Sequence, residues 1–331
     1  MRERSSRFDN AKLLLMVMVV SQHAFITYVD GPAMGREAVR FVLLGCTMPL
    51  FMFIMGFFTR EGFNLRRSVR LFWLFAAFNT VGNLVAWLFG FSHRFGLFAV
   101  APVMWYLGVA ALYGIFSPVC CRMPAFILLP VAFAMSWAPC FLPVGFASNF
   151  WGRFFGFIPF FILGFCVGRN KSVKSYLSYV LCNYSGGGVV LLVVCVAGVA
   201  FALSGIRPGL LNVGVSHNVF GGDLNGMVKR MVFQFLAILM GGSLMAVMPS
   251  RELAITRFGS RTFVVYLCHI WIVLFAAAVA RHFPALHPWY ARYAVMAISV
   301  LMSLLLFHKR ASEALEWFAV LPERAFRVIW K

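Results

Sequence analysis

The sequence has few acidic residues, and none of them falls in the middle of an apolar stretch. Its 331 residues include 10 Asp and Glu against 29 Lys and Arg, and the acids lie between the apolar runs or at their ends. Proton-coupled transporters usually need carboxylates inside the membrane, so this absence disfavours that class of protein. It also removes a carboxylate as a general base at membrane depth.

Cysteine motifs and internal repeats are also missing. The eight cysteines form no CxxC pair and most fall inside apolar stretches, so we expect buried apolar side chains rather than disulfides or metal ligands, and we predict no metal site. No repeat of the kind typical of a duplicated transporter is visible. The first apolar run has no small-residue cleavage site behind it, so we interpret it as a retained helix.

Long apolar runs dominate what is present. The chain is 62% hydrophobic and only 12% charged, with a mean hydropathy of +0.86, and no soluble domain of this size buries so much apolar surface. Each run is long enough for a helix of ~20 residues that crosses a bilayer. The sequence therefore predicts a single all-α, polytopic membrane domain over residues 1–331 with about ten transmembrane helices, near 11–29, 38–58, 69–90, 96–117, 124–145, 150–168, 187–204, 227–248, 262–280 and 289–307.

The net charge of +19 is best explained by membrane topology. In a soluble protein it would point to nucleic acid, which we do not expect as a partner here. Most lysines and arginines fall on one side if both termini are inside, as the positive-inside rule requires for an even number of helices. A basic inner face also attracts anionic lipid head groups or an anionic cosubstrate, and the sequence alone does not separate that role from topology.

Two long loops and a polar tail separate or follow the apolar runs. Segment 169–186 is basic and predicted inside. Segment 205–226 is predicted outside and is rich in Gly and Asn, so it either folds over an external substrate or simply connects two helices. Residues 312–331 mix aromatic and charged side chains, which predicts an amphipathic helix on the inner membrane face.

One ionisable side chain does lie deep in an apolar stretch, His23 in the segment RFDNAKLLLMVMVVSQHAF (7–25). Lys12 precedes it by eleven positions, almost three helical turns, so both share one helix face at roughly 16 Å along the axis. This pattern suits a long anionic molecule that enters from the cytoplasm. Asp30 follows near the same face and could orient or charge-balance the imidazole. The alternative is a histidine that only hydrogen-bonds helices together.

Six motifs follow one another along residues 7–307: RFDNAK with Lys12-x10-His23, MPLFMFIMGFF (48–58), RRSVR (66–70), MWYL (104–107), FFGFIPFFILGFCVG (154–168) and SRTFVVYLCHIWIV (260–273). Together they resemble the acyltransferase family 3 membrane proteins, most closely the fucose 4-O-acetylase-like branch. The chain departs from many relatives at Met55, where they have Ser before the glycine of the second motif. A catalytic serine is therefore excluded there, which leaves more weight on His23.

The resemblance implies ten transmembrane helices in a cell membrane, most simply the bacterial cytoplasmic membrane. It also implies an acyl-CoA donor, with acetyl-CoA as a substrate rather than a permanently bound cofactor, and a sugar, glycolipid or polysaccharide hydroxyl as acceptor. Coenzyme A fits the long anionic ligand inferred from the basic inner face, because Arg suits phosphate groups. The residues expected to bind the donor are Lys12, Arg66, Arg67, Arg70, Arg257, Arg261, Tyr266 and His269.

Several roles stay open at this level. Tyr266 and His269 lie three positions apart on one helix face, where they either line the donor path or bridge helices. His23, with Asp30 beside it, is predicted to act as the general base on the acceptor hydroxyl, although an acyl-histidine relay is chemically equivalent in outcome. A flippase or exporter of a lipid-linked saccharide is the alternative without catalysis.

Overall fold

The computed structural model describes residues 5–28, 45–59, 65–88, 103–141, 149–183, 186–203 and 224–322, together with residues 39, 43, 90 and 324. These residues form helices and short 3₁₀ turns without a β-strand, which confirms the predicted all-α class. The α-helices are α1 (Ser6–Tyr28), α2 (Thr47–Phe58), α3 (Leu65–Leu88), α4 (Trp105–Arg122), α5 (Ala125–Trp137), α6 (Asn149–Arg169), α7 (Lys171–Asn183), α8 (Gly187–Leu203), α9 (Leu224–Val247), α10 (Thr262–His282), α11 (Trp289–Leu305) and α12 (Lys309–Ala319).

The long apolar helices identify a multi-pass membrane protein. Among the described residues, α1, α3, α6, α9 and α10 are long and apolar enough to cross a bilayer, and α11 with α12 forms a sixth candidate that bends by 67°. Shorter apolar helices occupy three further predicted spans. All ten predicted segments thus contain a helix, whereas the number of crossings and the orientation of the termini stay predictions.

The chain groups into two compact units by its contacts. The first contains Met1–Met18, Gly31–Gly62 and Phe116–Gly259, and the second contains Val19–Asp30, Phe63–Ile115 and Ser260–Lys331. Helices α1 and α4 contribute residues to both units. The prediction of one functional domain over the whole chain is a separate matter and stays a prediction.

The closest packing in the first unit joins α2 to α6. Added Cβ atoms at Gly56, Gly164 and Gly168 would each collide with a backbone carbonyl of the facing helix. Small residues let two membrane helices approach until their backbones touch, which maximises van der Waals contact where the hydrophobic effect offers none. The two motifs around these glycines therefore encode one helix–helix contact.

Asn10 joins the start of α1 to the segment that precedes α10. Its Nδ2 donates to the carbonyls of Pro249 (3.0 Å) and Arg251 (3.3 Å), and its Oδ1 accepts from the Thr256 hydroxyl at 2.7 Å. A Cβ atom at Gly259 would collide with the backbone of α1. The polar part of the RFDNAK motif thus has a structural role inside the first unit.

In the second unit, the end of α1 packs on α10 and α11. Ala24 and Tyr28 form a buried cluster with Val273 and Ala277, and partly buried side chains of α11 cover it. The Tyr28 hydroxyl donates to the Val273 carbonyl at 2.5 Å. The end of α1 is therefore held rigidly against α10.

The predicted C-terminal amphipathic helix forms over part of its range. Helix α12 packs on α3, where the Trp73 indole donates to the Phe318 carbonyl at 3.3 Å and the two rings lie 5.6 Å apart. Residue 323 and residues 325–331 lie outside the described part of the chain. This amphipathic helix packs on a neighbouring helix, and the position of the helix at a membrane face stays a prediction.

Candidate active site

Two histidines from distant parts of the sequence lie side by side in the second unit. His23 on α1 and His269 on α10 have ring centroids 5.4 Å apart. His23 is half-buried, whereas His269 is completely buried. Ionisable side chains within apolar membrane helices are rare, so this pair is a candidate functional site.

The pair of histidines sits between two helices that run in the same direction. His23 lies beside His269, and five residues further along α1 Tyr28 bonds to Val273, four residues further along α10. A later residue of α1 thus contacts a later residue of α10, so the two helices are locally parallel. The predicted alternation of spans requires this relation for the first and ninth crossings.

The hydrogen bonds of His269 define its tautomer. Its Nδ1 lies 2.9 Å from the Val265 carbonyl oxygen and 2.8 Å from that of Tyr266. Because carbonyl oxygens only accept, Nδ1 carries the proton and Nε2 presents a lone pair. That Nε2 is buried and has no hydrogen-bond partner among the described residues. A buried unsatisfied acceptor costs about 1–3 kcal/mol and calls for an explanation.

Aromatic side chains connect the histidine pair to a basic residue. The ring of Tyr266 lies 6.3 Å from that of His269, and the Tyr106 ring lies 5.2 Å from that of Tyr266. Arg67 on α3 is close enough to Tyr106 to act on it electrostatically. These side chains form a series from an exposed arginine to His23, in which the first link is electrostatic and the others are ring contacts. Four of its five members, all except Tyr106, are residues that the sequence analysis singled out.

Val103, two residues before the start of α4, contacts this series through Tyr266. Its φ of 65° is in the left-handed region, which a β-branched residue enters only under strain. The Tyr266 hydroxyl donates to the Val103 carbonyl. Strained backbone persists where surrounding contacts fix it, often at functional sites, and here the MWYL motif begins directly after it.

The cations predicted to bind the donor occupy different surroundings. Arg66, Arg67 and Arg70 are exposed on the first turns of α3 in the second unit. Lys12 belongs to the first unit, where its ammonium pairs with the Asp9 carboxylate at 2.6 Å. The spacing of Lys12 and His23 along one continuous α1 is as predicted, but the acidic partner of Lys12 was not anticipated.

The two arginines near α10 also differ from each other. Arg257 is exposed in the first unit, with its guanidinium 5.1 Å from the ring of Phe258. Arg261 belongs to the second unit and donates to the Phe307 carbonyl at 3.2 Å. Arg261 therefore has a structural contact in addition to any role in binding.

Two predictions fall outside the described residues. Asp30, predicted to assist His23, follows the last described residue of α1 by two positions. The predicted external loop 205–226 is described only from residue 224, where α9 begins. The role of Asp30 therefore stays a prediction, and both alternatives for the loop, a cover over an external substrate or a plain connector, stay open.

The sequence analysis missed a buried polar cluster in the first unit. Arg230 on α9 is completely buried and lies 3.9 Å from the Cys140 thiol. One helical turn later, Gln234 donates to Ser136 at 2.9 Å and accepts from Trp137 at 2.9 Å. The available signal was an arginine at the fourth position of the predicted span 227–248.

Comparison with known protein families gives a match over most of the chain. The sequence model of a family described as an acyltransferase domain matches residues 6–308. Neither a curated protein nor a solved structure matches the chain. The matched range includes the whole series from Arg67 to His23.

Proposed function

The chain belongs to the acyltransferase domain family, and from that premise we propose that it moves an acetyl group from acetyl-CoA to a hydroxyl of a sugar or cell-envelope polysaccharide. Family membership and the apolar helices identify a membrane acyltransferase. The donor, the acceptor and the catalytic residues are our proposal, as is the kinship with the fucose 4-O-acetylase-like branch. The observation that carries it is the series of side chains from Arg67 to the His23–His269 pair.

His23 is the proposed general base. It is half-buried, so a substrate can reach it, whereas His269 is completely buried. No described acidic residue lies in the middle of a long apolar helix to compete for the role. Imidazole is also the side chain whose ordinary pKa suits proton transfer near neutral pH.

The proposed reaction needs one proton carrier. Neutral His23 accepts the proton of the acceptor hydroxyl as its oxygen attacks the thioester carbonyl carbon. The new C–O bond forms a tetrahedral intermediate, which collapses when the C–S bond breaks. The imidazolium of His23 then returns the proton to the departing thiolate, so the enzyme ends in its starting state.

His269 is proposed to support His23 rather than to replace it. Its Nε2 lone pair is fixed by the two bonds that Nδ1 makes to backbone carbonyls. That lone pair can accept an N–H of His23 when His23 becomes an imidazolium, as the third member of a catalytic triad supports its histidine. The role explains why an acceptor without a partner among the described residues stays buried.

The donor is proposed to approach along the aromatic side of the series. The exposed guanidinium groups at the start of α3 would hold the CoA phosphates, because Arg binds phosphate through paired hydrogen bonds. Tyr106 and Tyr266 separate those charges from the histidines. A long donor with phosphates at one end and a thioester at the other matches that order.

Mass spectrometry of cell-envelope glycans tests the proposal. Cells that make the wild-type protein should carry glycans heavier by one acetyl group than cells without it. His23→Gln should abolish that mass difference. His282→Gln is the matched control, because His282 lies on the same α10 and its Nδ1 bonds a backbone carbonyl in the same way. A change in the amount of surface glycan without a change in mass would instead favour a flippase.

A further inference from the structure

A cavity opens where α1 and α10 end and α11 begins. It has a volume of about 270 Å³ and is lined on its polar side by Thr27, Tyr28, Arg281, His287 and Arg292. All of its lining residues belong to the second unit. No acidic residue is among them, so the cavity has a positive lining in the part of the chain that the structure describes.

Its walls are held by secondary structure. Tyr28 is bonded to α10 through Val273, and the 3₁₀ turn Pro284–Leu286 brings His287 back until its Nε2 lies 3.4 Å from the Arg281 carbonyl oxygen. Both arginines make further contacts within the protein. Tyr28 and His287 are therefore held in place before any ligand arrives, and such preorganisation lowers the entropic cost of binding.

The position of Arg292 is not explained by helix stability. Arg281 lies in the last turn of α10, where a cation interacts favourably with the helix dipole. Arg292 lies in the first turn of α11, where its backbone N–H bonds the Pro288 carbonyl at 3.1 Å and a cation is unfavourable for the same reason. An anionic ligand in the cavity would offset this unfavourable interaction of the charge with the dipole.

The cavity lies one helical turn from the proposed base. Thr27 lines it, and the Thr27 hydroxyl donates to the His23 carbonyl at 2.7 Å. Four residues of α-helix rise about 6 Å. A ligand seated in the cavity can therefore extend from the arginines toward His23 over the length of one sugar ring.

We infer that this cavity binds a phosphate or carboxylate group of the acceptor, so that the enzyme selects an anionic saccharide and presents its hydroxyl to His23. Two guanidinium groups suit either anion through charge-assisted hydrogen bonds. The assignment of this site to the acceptor rests on the proposed function, whereas the binding of an anion there does not. It divides the substrates between the two arginine groups: donor phosphates at α3 and an acceptor anion between α10 and α11.

Binding to the purified full chain in lipid nanodiscs tests the inference without relying on catalysis. The probes are glucose, glucose 1-phosphate and glucuronic acid, measured by isothermal titration calorimetry. Either charged sugar should bind at least about tenfold more tightly than glucose, as expected for charge-assisted contacts. Comparing the two charged sugars tells whether phosphate or carboxylate is preferred.

Variants then locate the site. Arg281→Gln combined with Arg292→Gln should remove most of that preference, with Arg310→Gln on α12, an exposed arginine outside the cavity lining, as the control for loss of charge. The single Arg292→Gln change repeats the test if the double variant unfolds at a lower temperature. Equal binding of glucose and the charged sugars, no binding of any probe, or a preference that survives both arginine changes would overturn the inference.

Acyl transfer is measured on the same samples to separate the two proposals. A charge preference that depends on the arginines, combined with no acetyl transfer to any sugar, would contradict the proposed function and leave the anion site standing. Acetyl transfer to glucose that is insensitive to both arginine changes would support the proposed function and contradict the anion site. The KM for acetyl-CoA should not change in the arginine variants, because the donor is assigned to α3.

Discussion

Replacing Gly164 by alanine should separate α2 from α6 and destabilise the first unit. A Cβ atom at this position would collide with the carbonyl oxygen of Phe53 and lie 2.8 Å from its carbonyl carbon. Ordinary van der Waals contact begins near 3.4 Å. Because the obstructing atoms belong to a helix backbone, no side-chain rotation can relieve the contact, and the whole helix must move.

Two effects of opposite sign determine how far the free energy of unfolding changes. Overpacking a tight contact costs about 1–3 kcal/mol, and a clash with backbone belongs at the upper end of that range. Alanine in place of glycine within a helix stabilises the helix by about 1 kcal/mol. The net free energy of unfolding should fall by about 2 kcal/mol, which corresponds to a Tm lower by several degrees.

Thermal unfolding in detergent, followed by size-exclusion chromatography of a fluorescent fusion, measures the effect. Gly242→Ala on α9 is the matched control, because, apart from the backbone of α9 itself, no atom of the described residues lies within 4 Å of a Cβ atom built there. Its Tm should stay unchanged or rise slightly. If Gly164→Ala and Gly242→Ala shift Tm equally, the backbone contact between α2 and α6 is not what stabilises this unit.

Two further predictions concern topology and the donor. Reporter fusions after residues 62 and 175 should be cytoplasmic and one after residue 215 external, and a cytoplasmic fusion at 215 would contradict the number of crossings. The triple alanine variant of Arg66, Arg67 and Arg70 should raise the KM for acetyl-CoA more than it lowers kcat, because these exposed groups provide binding that is equal in the ground and transition states. An unchanged KM would leave the three arginines with a role in topology only.

The helical segments could be predicted from sequence, but their ends could not. Apolar runs of membrane-spanning length show clearly in a hydropathy pattern. Helix α1 nevertheless begins at Ser6, five residues before the predicted start at 11, because Arg7, Asp9 and Asn10 are all buried. Hydrogen bonds from Asn10 to segment 249–260 compensate for its burial. Local hydropathy contains no information about these distant partners.

The basic segment 169–186 shows a different limit. It is predicted to be a long basic loop, yet it contains the helix Lys171–Asn183. Its apolar residues recur at helical spacing, so the signal was present in the periodicity rather than in the mean. The Lys174 ammonium lies 5.8 Å from the ring of Phe57, which ties this helix to α2.

The candidate site could be predicted residue by residue but not as an arrangement. The pattern of each helix drew attention to His23, Tyr266 and His269 separately. Their proximity depends on the packing of α1 against α10, across 246 positions of sequence. The tautomer of His269 and its buried Nε2 depend on atomic contacts, which no spacing rule supplies.

The turnover number of His23→Gln in purified protein is the most direct test of the account. Glutamine keeps the capacity for hydrogen bonding but cannot accept the proton at neutral pH, so kcat for acetyl transfer should fall about 10² to 10⁴-fold while the KM for acetyl-CoA changes little. His269→Gln should lose less, and the control His282→Gln should be close to wild type. Near-normal transfer by His23→Gln combined with its loss in His269→Gln would show that the base is the other histidine and contradict the account.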